Sequence, residues 1–356
     1  MTGSDLHARR SRLSTQGTFR IRELTAEKGQ KTKGFLRLGE TVTGPIQLPI
    51  VIVNGRGDGP VLCLTAGVHA TEYPSIDALM RLTRELTPEV LRGTLIAVPV
   101  VNMHMFASRQ GFVSPIDGQN LNKIAPGGKS GSISDIFADV LLNEVIAKAE
   151  YHVDMHAGDL GEILYAFGGY PITGDADRDR RGEALARLYT PRLIALYREG
   201  SKLPPAAGSI VLEATRRGVV SILAESGGNG TLEEADIEVH LAGVRNIMRY
   251  LRMIDGDPRI PGGQIIATER YVTRAARAGL LRLKVAIGEA VSEGQEAAEI
   301  CDIWGETVER VKFARPGITG LIWSHKAVNT GDPIVRCWIV EPAPRFPETD
   351  RFIRSN

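Results

Sequence analysis

The sequence is poor in the features that mark secreted, membrane-spanning or polyanion-binding proteins. Its 356 residues include only three cysteines and no CxxC pair, so neither a disulfide framework nor a zinc knuckle is indicated. The 43 basic and 42 acidic residues leave a formal net charge of +1, which gives no general attraction to nucleic acid or to an acidic membrane. The longest uncharged stretches, such as residues 94–108, are shorter than the roughly 18 apolar residues of a membrane helix.

The N-terminal stretch is basic and polar, and it lacks the apolar middle region of a secretory signal. We therefore expect a cytoplasmic protein that binds neither membrane nor nucleic acid. The sequence leaves the oligomeric state open, a homo-oligomer included. Hydrophobic residues make up 43% of the chain, which is enough for a large core, and the length predicts one large domain and one smaller one.

Strand and helix patterns alternate over the first two thirds of the chain. Two apolar runs separated by a Gly-rich turn predict adjacent strands, and residues 71–86 then keep an apolar face at helical spacing, with Pro74 in the first turn. The pattern recurs with a predicted helix over residues 133–149, helical segments over residues 182–197 and a strand that ends at Ala224. Such alternation is typical of an α/β layer protein.

A cluster of Pro, Gly and Asp at residues 255–264 marks a change of pattern. The segments after it are of strand length and are separated by Gly, Pro and Asn, as in a small β-barrel or sandwich. We therefore predict two domains. The first, residues 1–255, is an α/β domain with an N-terminal extension, and the second, residues 256–356, is a β-rich, barrel-like lobe.

Three candidate metal ligands stand at the ends of predicted strands. His69 and Glu72 follow one strand, and His156 ends another strand far along the chain. Ligands of open α/β sheets bind at the carboxyl ends of strands, and a close pair plus a distant histidine is a common arrangement for a catalytic zinc ion with one open position. The alternatives are a surface pair near a helix N-terminus and a packed histidine.

Two further carboxylates follow predicted strands. Glu225 stands before a Gly-rich turn, where it could act as the base for water or simply stabilise the turn. Asp154 could orient the imidazole of His156 or cap a neighbouring loop. Between the candidate ligands lies a turn-rich segment, residues 107–128, and segments of that length without secondary structure tend to be functional.

Four motifs in this order resemble those of the succinylglutamate desuccinylase/aspartoacylase family, whose catalytic domain is shared with carboxypeptidase A. They are GVHATE at residues 67–72, SPIDGQNLNK at residues 114–123, DMH at residues 154–156 and AESGG at residues 224–228. The resemblance implies a mixed-sheet, zinc-carboxypeptidase-like α/β/α domain. The C-terminal segment is similar to the β-rich lobe of these proteins, which resembles a biotinyl/lipoyl-type barrel.

The resemblance also implies the residue roles. His69, Glu72 and His156 would bind one zinc ion per chain. Glu225 would act as general base and acid, Arg109 would stabilise the oxyanion, and a substrate carboxylate would be held by Asn122 and Lys123. The family carries arginine where Lys123 stands, and lysine is a point charge without the planar two-pronged geometry that holds a carboxylate.

Three functions follow as hypotheses. The first is a zinc-dependent amidohydrolase, or deacylase, that cleaves a small N-acyl amino acid or related N-acylated amine. The second is a metallocarboxypeptidase acting on peptides, which the β-rich lobe disfavours because in such relatives it narrows the entrance to the site. The third is a non-catalytic carrier or binding module, which would need a lysine at a hairpin tip, whereas residues 302–306 contain none.

Overall fold

The computed structural model describes residues 17–190 and 192–342. Residues 1–16, the start of the predicted N-terminal extension, and residues 343–356, the end of the predicted β-rich lobe, lie outside the described residues. The described strands are β1 (Thr18–Ile21), β2 (Leu24–Glu27), β3 (Gln30–Thr41), β4 (Gly44–Asn54), β5 (Gly57–Ala66), β6 (Arg92–Val98), β7 (Tyr151–His156), β8 (Glu162–Pro171), β9 (Leu193–Tyr197), β10 (Val220–Gly228), β11 (Ile265–Arg274), β12 (Gly279–Leu283), β13 (Ala290–Val291), β14 (Glu296–Cys301), β15 (Thr307–Lys312), β16 (Gly317–Trp323), β17 (Ala327–Val328) and β18 (Pro333–Pro342).

The helices lie mainly between the central strands. The described α-helices are α1 (Tyr73–Glu85), α2 (Met103–Ser108), α3 (Leu121–Ile124), α4 (Ile133–Val140), α5 (Ala176–Tyr189), α6 (Ile210–Arg216) and α7 (Glu234–Tyr250). A π-helical turn, Leu141–Val145, and a 3-10 turn, Ile146–Lys148, continue α4. The predicted helix over residues 133–149 therefore exists, but only its first half is α-helical. Among the described residues, no helix is long and apolar enough to cross a membrane.

Twelve strands form one mixed sheet, in the order β13-β16-β18-β11-β9-β8-β10-β7-β5-β6-β4-β3. The four strands β10, β7, β5 and β6 at its centre are parallel, whereas β8 and β4 run antiparallel to their neighbours β10 and β6. This arrangement confirms the predicted mixed α/β architecture and the β-rich C-terminal region. The specific likeness to zinc carboxypeptidases stays a prediction.

Helices cover both faces of the central strands. On β5, Leu62 and Leu64 pack into a core with α1, α5 and α7, whereas the alternating residues Val61 and Cys63 pack into a second core with α4 and α6. Because both faces are buried, these strands appear in the sequence as continuous apolar runs rather than alternating ones. The helix predicted over residues 71–86 is α1, with proline in its first turn as expected.

The helical segments predicted over residues 182–197 are only partly correct. Helix α5 ends at Tyr189, and residues 193–197 form strand β9 between β8 and β11. Thr190 has extended backbone angles and precedes a proline in the sequence, and a residue before proline avoids the helical conformation. Pairing within the sheet then stabilises the strand.

The C-terminal strands extend the central sheet across residue 255. Strand β11 pairs in parallel with β9, and β16 pairs antiparallel with β8. The remaining C-terminal strands β12, β14, β15 and β17 form a separate four-stranded sheet. The division into two domains at residue 255 stays a prediction, but the pairing places side chains of β11 and β18 beside the ends of β8 and β10.

Candidate active site

The candidate ligands lie where neighbouring parallel strands end. Strands β10, β7 and β5 are adjacent, and the register sets Glu225 on β10 opposite His156 on β7. Beyond the end of β5, the chain turns at Gly67, whose φ of +70° favours glycine and whose missing Cβ would lie 3.2 Å from the Cα of Val100. This turn carries His69 and Glu72 to the same sheet edge, directly before α1.

His69, Glu72 and His156 form a compact buried cluster. The Nδ1 atoms of His69 and His156 lie 2.8 Å from Oε1 and Oε2 of Glu72, respectively. One potential ligand atom from each of the three residues lies within 4.8 Å of those of the other two. The structure thus brings together the three residues that the sequence proposed as metal ligands.

The outward nitrogens of both imidazoles face polar side chains. His69 Nε2 lies 3.1 Å from Oδ1 of Asn120, within hydrogen-bonding geometry. His156 Nε2 lies 3.1 Å from Oδ2 of Asp154, at ion-pair distance but without hydrogen-bond alignment. Thr65 donates to the other oxygen of Asp154 at 2.6 Å and fixes that carboxylate. Metal-ligating histidines commonly have such a partner on the second nitrogen, which sets the ring orientation.

Asp154 therefore occupies the orienting position that sequence reasoning held open. Asn120 was not identified from the sequence. The available signal was its place within the polar Asn-Leu-Asn triplet of residues 120–122 in a turn-rich segment, but that triplet did not distinguish Asn120 from Asn122.

The electrostatics of the cluster fit a cation. Burial alone would raise the pKa of Glu72, but the charges and hydrogen bonds of His156 and His69 outweigh burial and lower that pKa to about 2. Burial alone would lower the pKa of His156, yet Glu72 and Asp154 raise it well above its usual range. Two imidazoles and a carboxylate with convergent donor atoms are a donor set that suits zinc, so the residues present fit the metal that the family resemblance implies.

Glu225 stands beside this cluster with an unusual carboxyl group. Its Oε2 atom is buried and has no hydrogen-bond partner within the described part of the chain. Burial is the largest cause that raises its pKa well above the usual range. The charge of His156 opposes this effect, and those of Glu72 and Glu162 add to it. A carboxyl group held in this way is suited to exchanging a proton.

Glu225 also forms part of the wall of a cavity with a volume of about 140 Å³. The cavity lies over strands β8 to β11 and β18, and residues 204–211 border its other side. Its lining residues are Asn122, Phe167, Pro171, Tyr197, Pro204, Pro205, Ala206, Ser209, Val211, Leu223, Glu225, Arg270, Arg336 and Trp338.

The two residues expected to bind substrate are placed differently. Asn122 lines the cavity, and its Oδ1 accepts a hydrogen bond of 2.9 Å from the backbone N–H of Ile210, at the start of α6. Lys123 is exposed and is not among the residues that line the cavity. The structure therefore does not bring Lys123 together with Glu225.

Arg109 lies at the C-terminal end of α2 with a left-handed backbone, φ +57°, and its side chain is exposed. Phe112 lies in the loop that follows, and its backbone N–H donates a hydrogen bond of 2.6 Å to the carboxylate of Asp159, which follows β7. This bond helps hold the Phe112 ring at 5.7 Å from the ring of His69. Phe112 thus contacts the ring of His69 from this loop, whereas the side chain of Arg109 is exposed.

Arg270 and Arg336, which also line the cavity, were missed by sequence reasoning. They lie on β11 and β18, and no sequence motif surrounds them. Only the pairing of these strands with the central sheet brings them near Glu225.

Residues 58–251 match the family model of the succinylglutamate desuccinylase/aspartoacylase catalytic domain. The chain is 29% identical over 313 residues to the N-alpha-acetyl-L-2,4-diaminobutyric acid deacetylase of Halomonas elongata, a match that covers 85% of this chain and 89% of the relative. A succinylglutamate desuccinylase/aspartoacylase structure from Rhodobacter sphaeroides has a TM-score of 0.79 at 25% identity, covering 90% of this chain and 98% of the other. The product-bound ectoine utilization protein EutE (DoeB) from Ruegeria pomeroyi shares the fold, with a TM-score of 0.81 at 21% identity and coverage of 89% and 98%.

Proposed function

This chain belongs to the succinylglutamate desuccinylase/aspartoacylase family, and we propose that it is a zinc-dependent deacylase that hydrolyses the amide bond of a small N-acyl amino acid or related N-acylated amine. The observation that carries the proposal is the meeting of His69, Glu72 and His156 beside the unpaired carboxyl group of Glu225. The relative from Halomonas elongata, named as a deacetylase of an N-acetylated diamino acid, supports the reaction class.

His69, Glu72 and His156 would hold one zinc ion per chain. When bound there, zinc supplies Lewis acidity, which polarises the scissile carbonyl and makes water more acidic. Asn120 and Asp154 hold the two imidazoles in orientation from behind, which keeps the three ligand atoms convergent.

Glu225 moves the proton. Its carboxylate takes a proton from the attacking water and later gives it to the departing amine, so that the products are a carboxylic acid and a free amine. A carboxyl group whose pKa is raised by burial holds a proton well enough for the second step. Arg109 is proposed to turn toward the carbonyl oxygen and share its developing negative charge.

The substrate lies on the cavity side of Glu225. Asn122 borders that cavity, and we propose it as a substrate contact, whereas the exposed Lys123 could contribute only at the periphery. The small volume favours a small acylated molecule over a peptide. This limit argues against the alternative of a metallocarboxypeptidase, as does the wall that β11 and β18 form.

The test is a screen for amine release. Protein stripped with a chelator and reloaded with zinc is incubated with N-acetyl, N-formyl and N-succinyl amino acids and, as a comparison, with short peptides. We expect metal-dependent release from at least one acylated amino acid and none from the peptides. Release from peptides alone would replace the deacylase proposal with the peptidase alternative.

A further inference from the structure

The cavity beside Glu225 contains two arginines contributed by the C-terminal strands. Strands β11 and β18 pair antiparallel, with Arg270 opposite Trp338 and Arg336 opposite Val272. Residues opposite each other in such a pair lie on the same face of the sheet. Arg270, Arg336 and Trp338 therefore face the same space and line the same cavity.

Neither guanidinium has an anionic partner in the part of the chain that the structure describes. Across residues 17–190 and 192–342, Arg270 and Arg336 form no ion pair and no side-chain hydrogen bond. The guanidinium of Arg336 lies over the ring of Trp323, 5.4 Å from its centroid, a contact that fixes its orientation without neutralising its charge. Arg336 is half-buried and Arg270 is exposed, and buried arginines are usually paired, so the unpaired Arg336 in particular leaves positive charge available to a ligand.

The two positive charges also act on each other. Burial lowers the pKa of Arg336, and the charge of Arg270 lowers it further. The charges of Glu162 and Glu225 act in the opposite direction, but neither carboxylate forms an ion pair with an arginine among the described residues. A bound anion would relieve the repulsion between the guanidiniums, and their planar donor groups suit a carboxylate.

The other residues that line the cavity indicate which kind of molecule carries that carboxylate. Phe167, Leu223 and Trp338 offer apolar surface next to the arginines, which suits a ligand with a short carbon chain and few charges. A single carboxylate on a short chain matches this combination better than a phosphate ester does.

We propose that Arg270 and Arg336 form a carboxylate subsite through which the C-terminal strands position an N-acylated substrate at Glu225. The proposal rests on the proposed deacylase function for the identity of the ligand. The carboxylate could belong to the amine half of the substrate, as in an N-acetyl amino acid, or to the acyl half, as in an N-succinyl amine.

The experiment compares matched substrates on zinc-loaded protein. One pair is N-acetyl-L-2,4-diaminobutyrate and its α-carboxamide, and the other is N-succinyl-methylamine and its terminal carboxamide. The variants are Arg270→Ala, at an exposed position, and Arg336→Met, which keeps the side-chain volume. The matched control is Arg274→Ala, on the same strand but outside the cavity, where the guanidinium donates to the carbonyl of Gly331.

We expect each cavity variant to raise KM for a carboxylate substrate roughly 10- to 100-fold, with a smaller change in kcat, because a charged hydrogen bond remote from the reacting bond is lost. KM for the matched carboxamide should change less than about threefold. The pair that shows the difference identifies the half of the substrate that carries the carboxylate. Equal selectivity in wild type, both cavity variants and Arg274→Ala, for both pairs, would overturn the subsite.

A binding measurement separates this proposal from the deacylase function. If no acylated substrate is hydrolysed, the deacylase proposal fails, but calorimetric titration with L-2,4-diaminobutyrate and its carboxamide still reports on the arginines. Preference for the carboxylate in wild type that is lost in Arg270→Ala and Arg336→Met would uphold the subsite. Lack of preference in wild type would overturn it.

Discussion

The two groups of charged side chains that flank Glu225 differ in how their charges are satisfied. In the candidate metal cluster of His69, Glu72 and His156, Glu72 contacts both histidines, and Asn120 and Asp154 face the nitrogens behind them. Across the cavity, Arg270 and Arg336 form no ion pair within the described ranges. The first group is held in one geometry by its own contacts, whereas the positive charges of the second group remain available to a bound anion.

This difference matches the two tasks that a deacylase must perform. A metal ion needs a fixed set of ligands, so its site is buried and internally braced. A substrate arrives and leaves in every cycle, so the groups that bind it must remain available between cycles. The braced cluster comes from the ends of β5 and β7, whereas the unpaired arginines come from β11 and β18.

Among changes in these two groups of side chains, removal of a proposed metal ligand should have the largest effect on metal content and turnover. We expect His156→Ala or His69→Ala to reduce metal content from about one ion per chain to nearly none, and turnover to background, because two remaining protein ligands hold zinc poorly. Metal analysis of the purified variants measures this. His104→Ala, a half-buried histidine outside the cluster, is the control. Full occupancy in both ligand variants would refute the assignment.

Removal of the side chain that orients a proposed metal ligand should reduce metal affinity less than removal of the ligand itself. Asp154→Ala removes the carboxylate that faces His156, and we expect metal affinity to fall roughly 10- to 100-fold, the usual cost of deleting such a partner. Competition with a chelator of known affinity measures the change. If affinity stays at the wild-type value while the variant is folded, the contact between Asp154 and His156 does not orient the ligand.

The smallest effect is expected at Lys123. Because its side chain is exposed and away from the cavity lining, Lys123→Ala should change KM for a carboxylate substrate by less than about threefold, far below the effect of Arg270→Ala. Steady-state kinetics on both variants with the same substrate gives the comparison. A larger increase in KM for Lys123→Ala than for Arg270→Ala would move the carboxylate contact back to Lys123.

The sequence could indicate that His69, Glu72 and His156 meet because its signals for them are local. His69, Glu72 and His156 stand at the ends of apolar runs, and parallel neighbouring strands bring such ends to one edge of the sheet. Helix α1 could be located for the same reason, since its apolar spacing and its proline lie within a few turns.

What could not be predicted depends on distant pairing. Arg270 and Arg336 reach Glu225 only because β11 pairs with β9 and β18 pairs with β11, and nothing near either arginine in the sequence encodes that register. Strand β9 was misassigned for a related reason. Its apolar residues fit a helix as well as a buried strand, and only pairing with the neighbouring strands β8 and β11 favours the strand.

Glu225 belongs to both regions, so its role is the central claim. The most direct measurement is turnover and metal content of the isosteric variant Glu225→Gln, with Glu238→Gln, an exposed residue of α7, as control. We predict that turnover of an N-acyl amino acid falls roughly 100- to 10,000-fold while one metal ion per chain is retained, because only the proton transfer is lost. Turnover within a few-fold of wild type at full metal occupancy would contradict the account.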